Sequence, residues 1–250
     1  MTIAETPTRM QVLAHRGASA DAPENTLEAF EEAIRQDADG LEFDVRVCGS
    51  GEVVVFHDDC LSRLANLPWK IRYTPWWKLR RIDVATRLGF KPAHVPLLAD
   101  VVAAVPTSCI LNIELKCDVW DDRGLSIKVA DYVVRCRLEE RVIISSFNPL
   151  CLARVAARAP HLKRGLLINP DASFMLQNCL LAPWCSNFSM HLSDVQVTAD
   201  QVLQWRRRGW RTAGWTVDDP ERALELSSMG IDYCITNRPG QIKKRIQLQR

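Results

Sequence analysis

The chain has 250 residues, 47% hydrophobic and 25% charged, a balance that supports a full buried core and excludes a disordered or fibrous protein. Thirty-two Lys and Arg against thirty Asp and Glu leave a formal charge of +2, too little overall to grip a long polyanion, so nucleic acid is not an expected partner. Nine cysteines, with no CxxC pair and no His at zinc-ligand spacing, read as reduced thiols; without an apolar leader at 1–10 or a long apolar run, no membrane span and a cytoplasmic location are expected.

Residues 11–14 predict a first strand, and 26–36, with Leu27, Phe30 and Ile34 at helical spacing, a first helix. Asn25 or Thr26 is placed to cap it. Residues 40–47 alternate at period two, and the turn Gly49-Ser50-Gly51 leads into 53–56 as a hairpin-like pair. An irregular stretch follows at 60–95, whose Trp69, Trp76 and Trp77 either cover the mouth or pack the loop, with packing the preferred reading. Then come a helix at 97–105, a strand at 110–115, a helix at 125–136, a strand at 142–145 and a helix at 150–159. A strand at 164–168, a helix at 174–181 and a strand at 187–190 continue the alternation. Helices at 202–208, 221–229 and 241–248 enclose strands at 212–215 and 233–235. The basic runs Arg206-Arg207-Arg208 and Lys243-Lys244-Arg245 read as solvated last turns of helices.

These make eight strand-plus-helix units in about the length of a (β/α)8 TIM barrel. A doubly wound open sheet is the alternative. The barrel is preferred because polar residues stand at the carboxyl ends of several strands, which converge on one mouth only in a barrel. With no linker or repeat, residues 1–250 read as a single α/β barrel domain with a small insertion, about 60–95, after the second strand.

His15 and Arg16 follow the apolar Val12-Leu13-Ala14, so they belong at the mouth of the first strand, with Gly17 freeing the turn. A His there exchanges protons near neutral pH, and an Arg grips two phosphate oxygens. Glu42 and Asp44, two residues apart in a strand, face the same way, and inside a barrel two carboxylates repel unless a cation sits between them. Glu114 adds a third carboxylate from the next strand, and three carboxylates suit a hard cation, Mg²⁺ or Ca²⁺, better than zinc. His57 supplies a second imidazole after the apolar residues 53–56, with Asp58 beside it. Lys116, two residues beyond Glu114, adds positive charge for an anionic transition state. Glu24 has no capping duty and is free to reach the mouth.

Taken in order, His15-Arg16-Gly17, Pro23-Glu24-Asn25-Thr26, Leu41-Glu42-Phe43-Asp44-Val45 and Val54-Val55-Phe56-His57-Asp58 resemble the glycerophosphodiester phosphodiesterase family. The likeness continues through Asn112-Ile113-Glu114-Leu115-Lys116, Ser146-Phe147-Asn148, Trp215-Thr216-Val217 and Gly230-Ile231-Asp232 with Ile235-Thr236. It implies a barrel enzyme that hydrolyses glycerophosphodiesters to glycerol 3-phosphate and an alcohol with Ca²⁺ or Mg²⁺. Glu42, Asp44 and Glu114 then match metal ligands, His15 and His57 the acid and base, and Arg16 and Lys116 phosphate-binding groups. Trp215 matches a residue lining the glycerol end, and Glu24 one close to the metal. The resemblance implies a cyclic phosphate made by a glycerol hydroxyl and opened by water, without assigning the histidines to separate steps. Phe188-Ser189-Met190-His191-Leu192 is similar to a His-bearing segment of compact cytosolic bacterial members. That implies a substrate-side role for His191, against the alternative of a packed core residue. Asn237 stands where members frequently have Asp, a change expected to touch only a minor loop contact. The other readings are a phospholipase D acting on lysophospholipids, which needs an exposed apolar lip, and a non-catalytic barrel that binds a phosphorylated ligand. The last would be signalled by loss of a histidine or carboxylate, and none is missing.

Overall fold

Eight parallel strands close into a barrel in the computed structural model of the chain, which describes residues 9–117, 120–171 and 182–248. The strands are β1 (Gln11–His15), β2 (Gly40–Val47), β4 (Ile110–Leu115), β5 (Val142–Ser146), β6 (Arg164–Ile168), β7 (Ser189–Ser193), β8 (Arg211–Trp215) and β9 (Tyr233–Thr236). Each pairs with the next, β9 returns to β1, and β1 pairs with β2 to complete the ring. β3 (Val53–Val55) lies antiparallel on β2, the expected hairpin. Helices fill the connections, giving the (β/α)8 barrel.

Local chemistry sets the element ends. Thr26 caps the helix Leu27–Arg35 by accepting the Ala29 amide at 3.3 Å, and Asn148 caps Pro149–Arg158 through the Leu150 amide. β7 begins two residues later than the sequence suggests because Asn187 is used sideways, its Oδ1 accepting the Arg164 amide at 2.9 Å. The expected helix at 174–181 lies outside the described residues. Among the described residues no helix is long and apolar enough to cross a membrane.

Side chains divide by strand parity. On β2, Leu41, Phe43 and Val45 face the helices, where the Phe43 ring sits 5.5 Å from that of Phe30. Glu42 and Asp44 face the barrel interior. The basic run near the end of the chain is not wholly solvated: Lys243 is 4% exposed and bonds Asp39 at 2.8 Å. In the insertion, Leu61, Leu64, Ile71, Leu79 and Val84 form a separate small core, and Trp76 packs beside it. Trp69 and Trp77 do not pack as expected; they are 41% and 58% exposed and stand outside that core.

Candidate active site

Register places the site. His15 pairs with Glu42 across β1 and β2, and Asp44 pairs with Glu114 across β2 and β4. Since side chains at i and i+2 share a face, both pairs project into the same end of the barrel. One oxygen from each of Glu42, Asp44 and Glu114 lies within 4.8 Å of the others, and all three residues are buried.

Three buried carboxylates so close resist ionisation together. Burial, then Asp44 and Glu114, push the Glu42 carboxyl well above its ordinary value of 4.5. Burial and Asp44 push Glu114 up to about 7 against the opposing pull of Lys116. Asp44 escapes: burial works against its charge, but Lys116 and Arg16 outweigh it and hold the carboxyl at about 2. Lys116 Nζ lies 2.8 Å from Glu114 and 3.6 Å from Asp44, and Arg16 Nε lies 3.3 Å from Asp44. Asn25 donates to Asp44 at 2.9 Å. Repelling oxygen donors with no nitrogen or sulfur among them fit a hard divalent cation.

The two histidines are held by different partners. His15 Nδ1 is 2.7 Å from Asn237 Oδ1, and Asn237 Nδ2 donates to Asp218 at 2.7 Å, which fixes the amide so that Oδ1 accepts. The His15 proton therefore sits on Nδ1, and Nε2 is presented 3.8 Å from Glu42. Burial, with Arg16 beside it, lowers His15 to about 4. His57 Nδ1 instead meets the Asp58 carboxylate at 2.6 Å, and Arg63 holds that carboxylate at 2.7 Å. Burial also lowers His57, while Asp44 and Asp58 pull the other way. Burial thus holds both rings below the ordinary imidazole value, against the pull of the neighbouring carboxylates.

His15, His57, Arg16, Glu42, Glu114 and Lys116 line one cleft of about 290 Å³. Trp215 and Phe147 form its apolar wall, their rings edge to face at 5.3 Å. Arg16 adopts φ 56°, an uncommon backbone for a residue with a side chain, and a Cβ on Gly17 would come within 2.6 Å of Ala29. The His-Arg-Gly turn thus needs its glycine.

Glu24 reaches the mouth beside His15 and Arg16, as expected, whereas His191 does not. Glu24 stands beside the carboxylate group rather than in it, because Arg16 takes Oε1 at 2.9 Å and Arg63 takes both oxygens at 2.7 Å. His191 does not line the cleft: it is fully buried, with Nε2 2.8 Å from Ser189 Oγ and Nδ1 unpartnered among the described residues. Burial lowers it to about 4, so it stays neutral in the fold. That fixes a sign: the stability His191 contributes is complete above the unfolded value of 6.5 and is lost as pH falls toward about 4, by up to about 3 kcal/mol. Urea unfolding of His191→Gln should show a flatter loss across that window. An unchanged pH dependence would contradict the burial argument.

Asn237, expected from sequence to make only a minor loop contact, instead holds the His15 ring, and sequence reasoning missed Arg63 altogether. Asn237 follows β9, which the closed barrel sets beside β1, and only closure reveals that it meets His15. Arg63 stands five residues past Asp58, at charge-pair reach across the turn. Asn112, the register neighbour of Glu42, and Ser145, that of Glu114, form an unanticipated polar layer without side-chain partners among the described residues.

Comparison with known proteins places this geometry. The model of the glycerophosphoryl diester phosphodiesterase family matches residues 15–241. A glycerophosphodiester phosphodiesterase of Caldanaerobacter subterraneus is 33% identical over 236 residues, 91% of this chain and 94% of its own. The Bacillus subtilis protein YqiK is 35% identical over 233 residues, covering 92% and 95%. Among solved structures, an Oleispira antarctica phosphodiesterase in complex with the product sn-glycerol-3-phosphate superposes with a TM-score of 0.81 at 28% identity, over 96% of this chain and 97% of that one. With the matched span running from His15 at the first strand's mouth to the last helix, the chain belongs to the glycerophosphoryl diester phosphodiesterase family and is an enzyme of that class.

Proposed function

We propose that the protein is a metal-dependent phosphodiesterase that hydrolyses glycerophosphodiesters to glycerol 3-phosphate and an alcohol by two-histidine acid/base catalysis. The observation that carries the reading is the convergence of His15 and His57 with Glu42 and Glu114 in one cleft, Asp44 completing the carboxylate group behind them. The Oleispira antarctica relative with bound sn-glycerol-3-phosphate supports the product.

Arg16 and Lys116 bind the diester phosphate and offset its charge as it grows in the transition state. One histidine takes the proton of the attacking glycerol hydroxyl as its oxygen bonds to phosphorus, and the other protonates the leaving alkoxide as its P–O bond breaks. Each ring is then in the opposite state, so water can open the resulting cyclic phosphate by the reverse transfers. A Mg²⁺ or Ca²⁺ held by Glu42, Asp44 and Glu114 would polarise the phosphoryl oxygen and neutralise the carboxylates. Trp215 and Phe147 give the glycerol end an apolar wall.

A lysophospholipase D activity is the second reading, favoured by the exposure of Trp69 and Trp77. Both readings are tested by assaying glycerophosphodiesters and lysophospholipids for released alcohol, after chelation and after return of each metal. Chelation should silence turnover and Mg²⁺ or Ca²⁺ restore it. Activity indifferent to chelator would remove the metal from the scheme, and preference for lysolipids would select the second reading.

A further inference from the structure

The insertion at residues 60–95 carries eight Lys and Arg and one acidic residue, Asp83. The near-neutral total hides this, for the rest of the chain holds twenty-four basic against twenty-nine acidic side chains. Asp83 is bound through its Oδ1 to the amides of Ala85 and Thr86 and pairs with no Lys or Arg among the described residues. Lys70 and Arg72 reach carboxylates only at 3.6 and 3.7 Å. Lys78, Arg80, Arg81, Arg87 and Lys91 are exposed and have no carboxylate partner among the described residues.

Aromatic rings stand among these charges. Trp69, Tyr73 and Trp77 are 41%, 73% and 58% exposed, and Lys78 Nζ lies 5.6 and 5.1 Å from the two indole centroids. The insertion's aliphatic core closes without them. Trp69, Tyr73 and Lys78 line a shallow depression that shares Lys70 with a groove containing Arg72 and Lys116. Lys116 also lines the catalytic cleft, so the aromatic patch and the mouth lie on one continuous surface. Trp120, 79% exposed, stands on the connection after β4, where its neighbour Asp121 meets Arg72.

We propose that this insertion docks the barrel mouth onto an anionic lipid surface. Trp and Tyr rings with an apolar body and a polar edge settle at the headgroup level of a bilayer, and Lys and Arg beside them are drawn to anionic headgroups. Nucleic acid is the poorer occupant. Lys78 already spans both indoles, and Asp59, Asp121 and Asp122 line the groove that a phosphate backbone would follow. The docking is independent of which diester the cleft cleaves.

The test is cosedimentation of the full chain with vesicles of phosphatidylcholine alone and of phosphatidylcholine mixed with phosphatidylglycerol, at low and raised salt. Sedimentation only with the anionic vesicles, weakened by salt, is expected. Trp69→Ser with Trp77→Ser, and separately Lys78→Glu with Arg80→Glu and Arg81→Glu, should each weaken it by about tenfold or more. Turnover of a soluble glycerophosphodiester should be unchanged in both, which also reports that they fold. Wild-type protein that ignores the anionic vesicles, or binds both kinds equally, overturns the proposal without recourse to any variant. So does tighter binding of a single-stranded oligonucleotide in the same buffer.

Discussion

Alanine at His57 or His15 should lower kcat for a glycerophosphodiester by about 10²–10⁴-fold, the loss expected when a positioned proton-transfer group is removed. Both side chains are partly open to the cleft, 29% and 20% exposed, so circular dichroism and the unfolding midpoint should change little. Near-normal turnover by either variant would overturn the two-histidine scheme. Their partners give a finer test. Asn237→Asp sets a carboxylate where the amide oxygen now lies 2.7 Å from His15 Nδ1, which favours the imidazolium and raises the ring from about 4. Any limb of the kcat/KM profile that requires neutral His15 should then move to higher pH. Asp58→Asn removes the carboxylate from His57 and should move its limb to lower pH. A residue needed only for folding would change the amount of active enzyme and leave both limbs in place.

Most of the site was legible in the sequence because strands report their own faces. The two-residue spacing of Glu42 and Asp44, and of Glu114 and Lys116, fixes a shared direction before any tertiary structure is known. The alternation of apolar runs with amphipathic stretches likewise gave the barrel, and β7 slipped only because Asn187 bonds sideways to the Arg164 amide. Contacts created by closure were not legible. Asn237 lies 222 positions from His15 and reaches it only because β9 returns to β1. His191 sits on a strand with the expected parity, yet depth along the barrel decides whether such a residue meets substrate or core, and parity carries no information about depth. The insertion's charge was lost for another reason, since a sum over the whole chain cancels two regions of opposite sign.

The carboxylate group itself predicts an unusual trade between stability and function. In chelator, Glu42 and Glu114 have carboxyls raised above 4.5, so their sign is opposite to that of His191. The fold binds protons more tightly than the unfolded chain. The stability these two carboxyls contribute is therefore fully present below about 4.5 and is lost as pH rises from there, through about 7 for Glu114. Glu42→Gln resembles the protonated acid in shape and removes one of three mutually repelling charges. The variant should unfold at higher denaturant than wild type in chelator above neutral pH, by about 0.5–2 kcal/mol, the range of single stabilising substitutions. The same change should cost about a hundredfold or more in turnover, because one of the three carboxylates proposed to hold the metal is gone. Added Mg²⁺ or Ca²⁺ should stabilise wild type more than the variant, since only wild type offers all three charges. Equal stabilisation by metal, or a Glu42→Gln protein less stable than wild type in chelator at that pH, would mean that the three carboxylates are held by their two cations alone. Lys116 and Arg16 supply only two positive charges for three carboxylates and, in addition, a substrate phosphate. With all three ionised, that deficit is what the proposed divalent cation would make up.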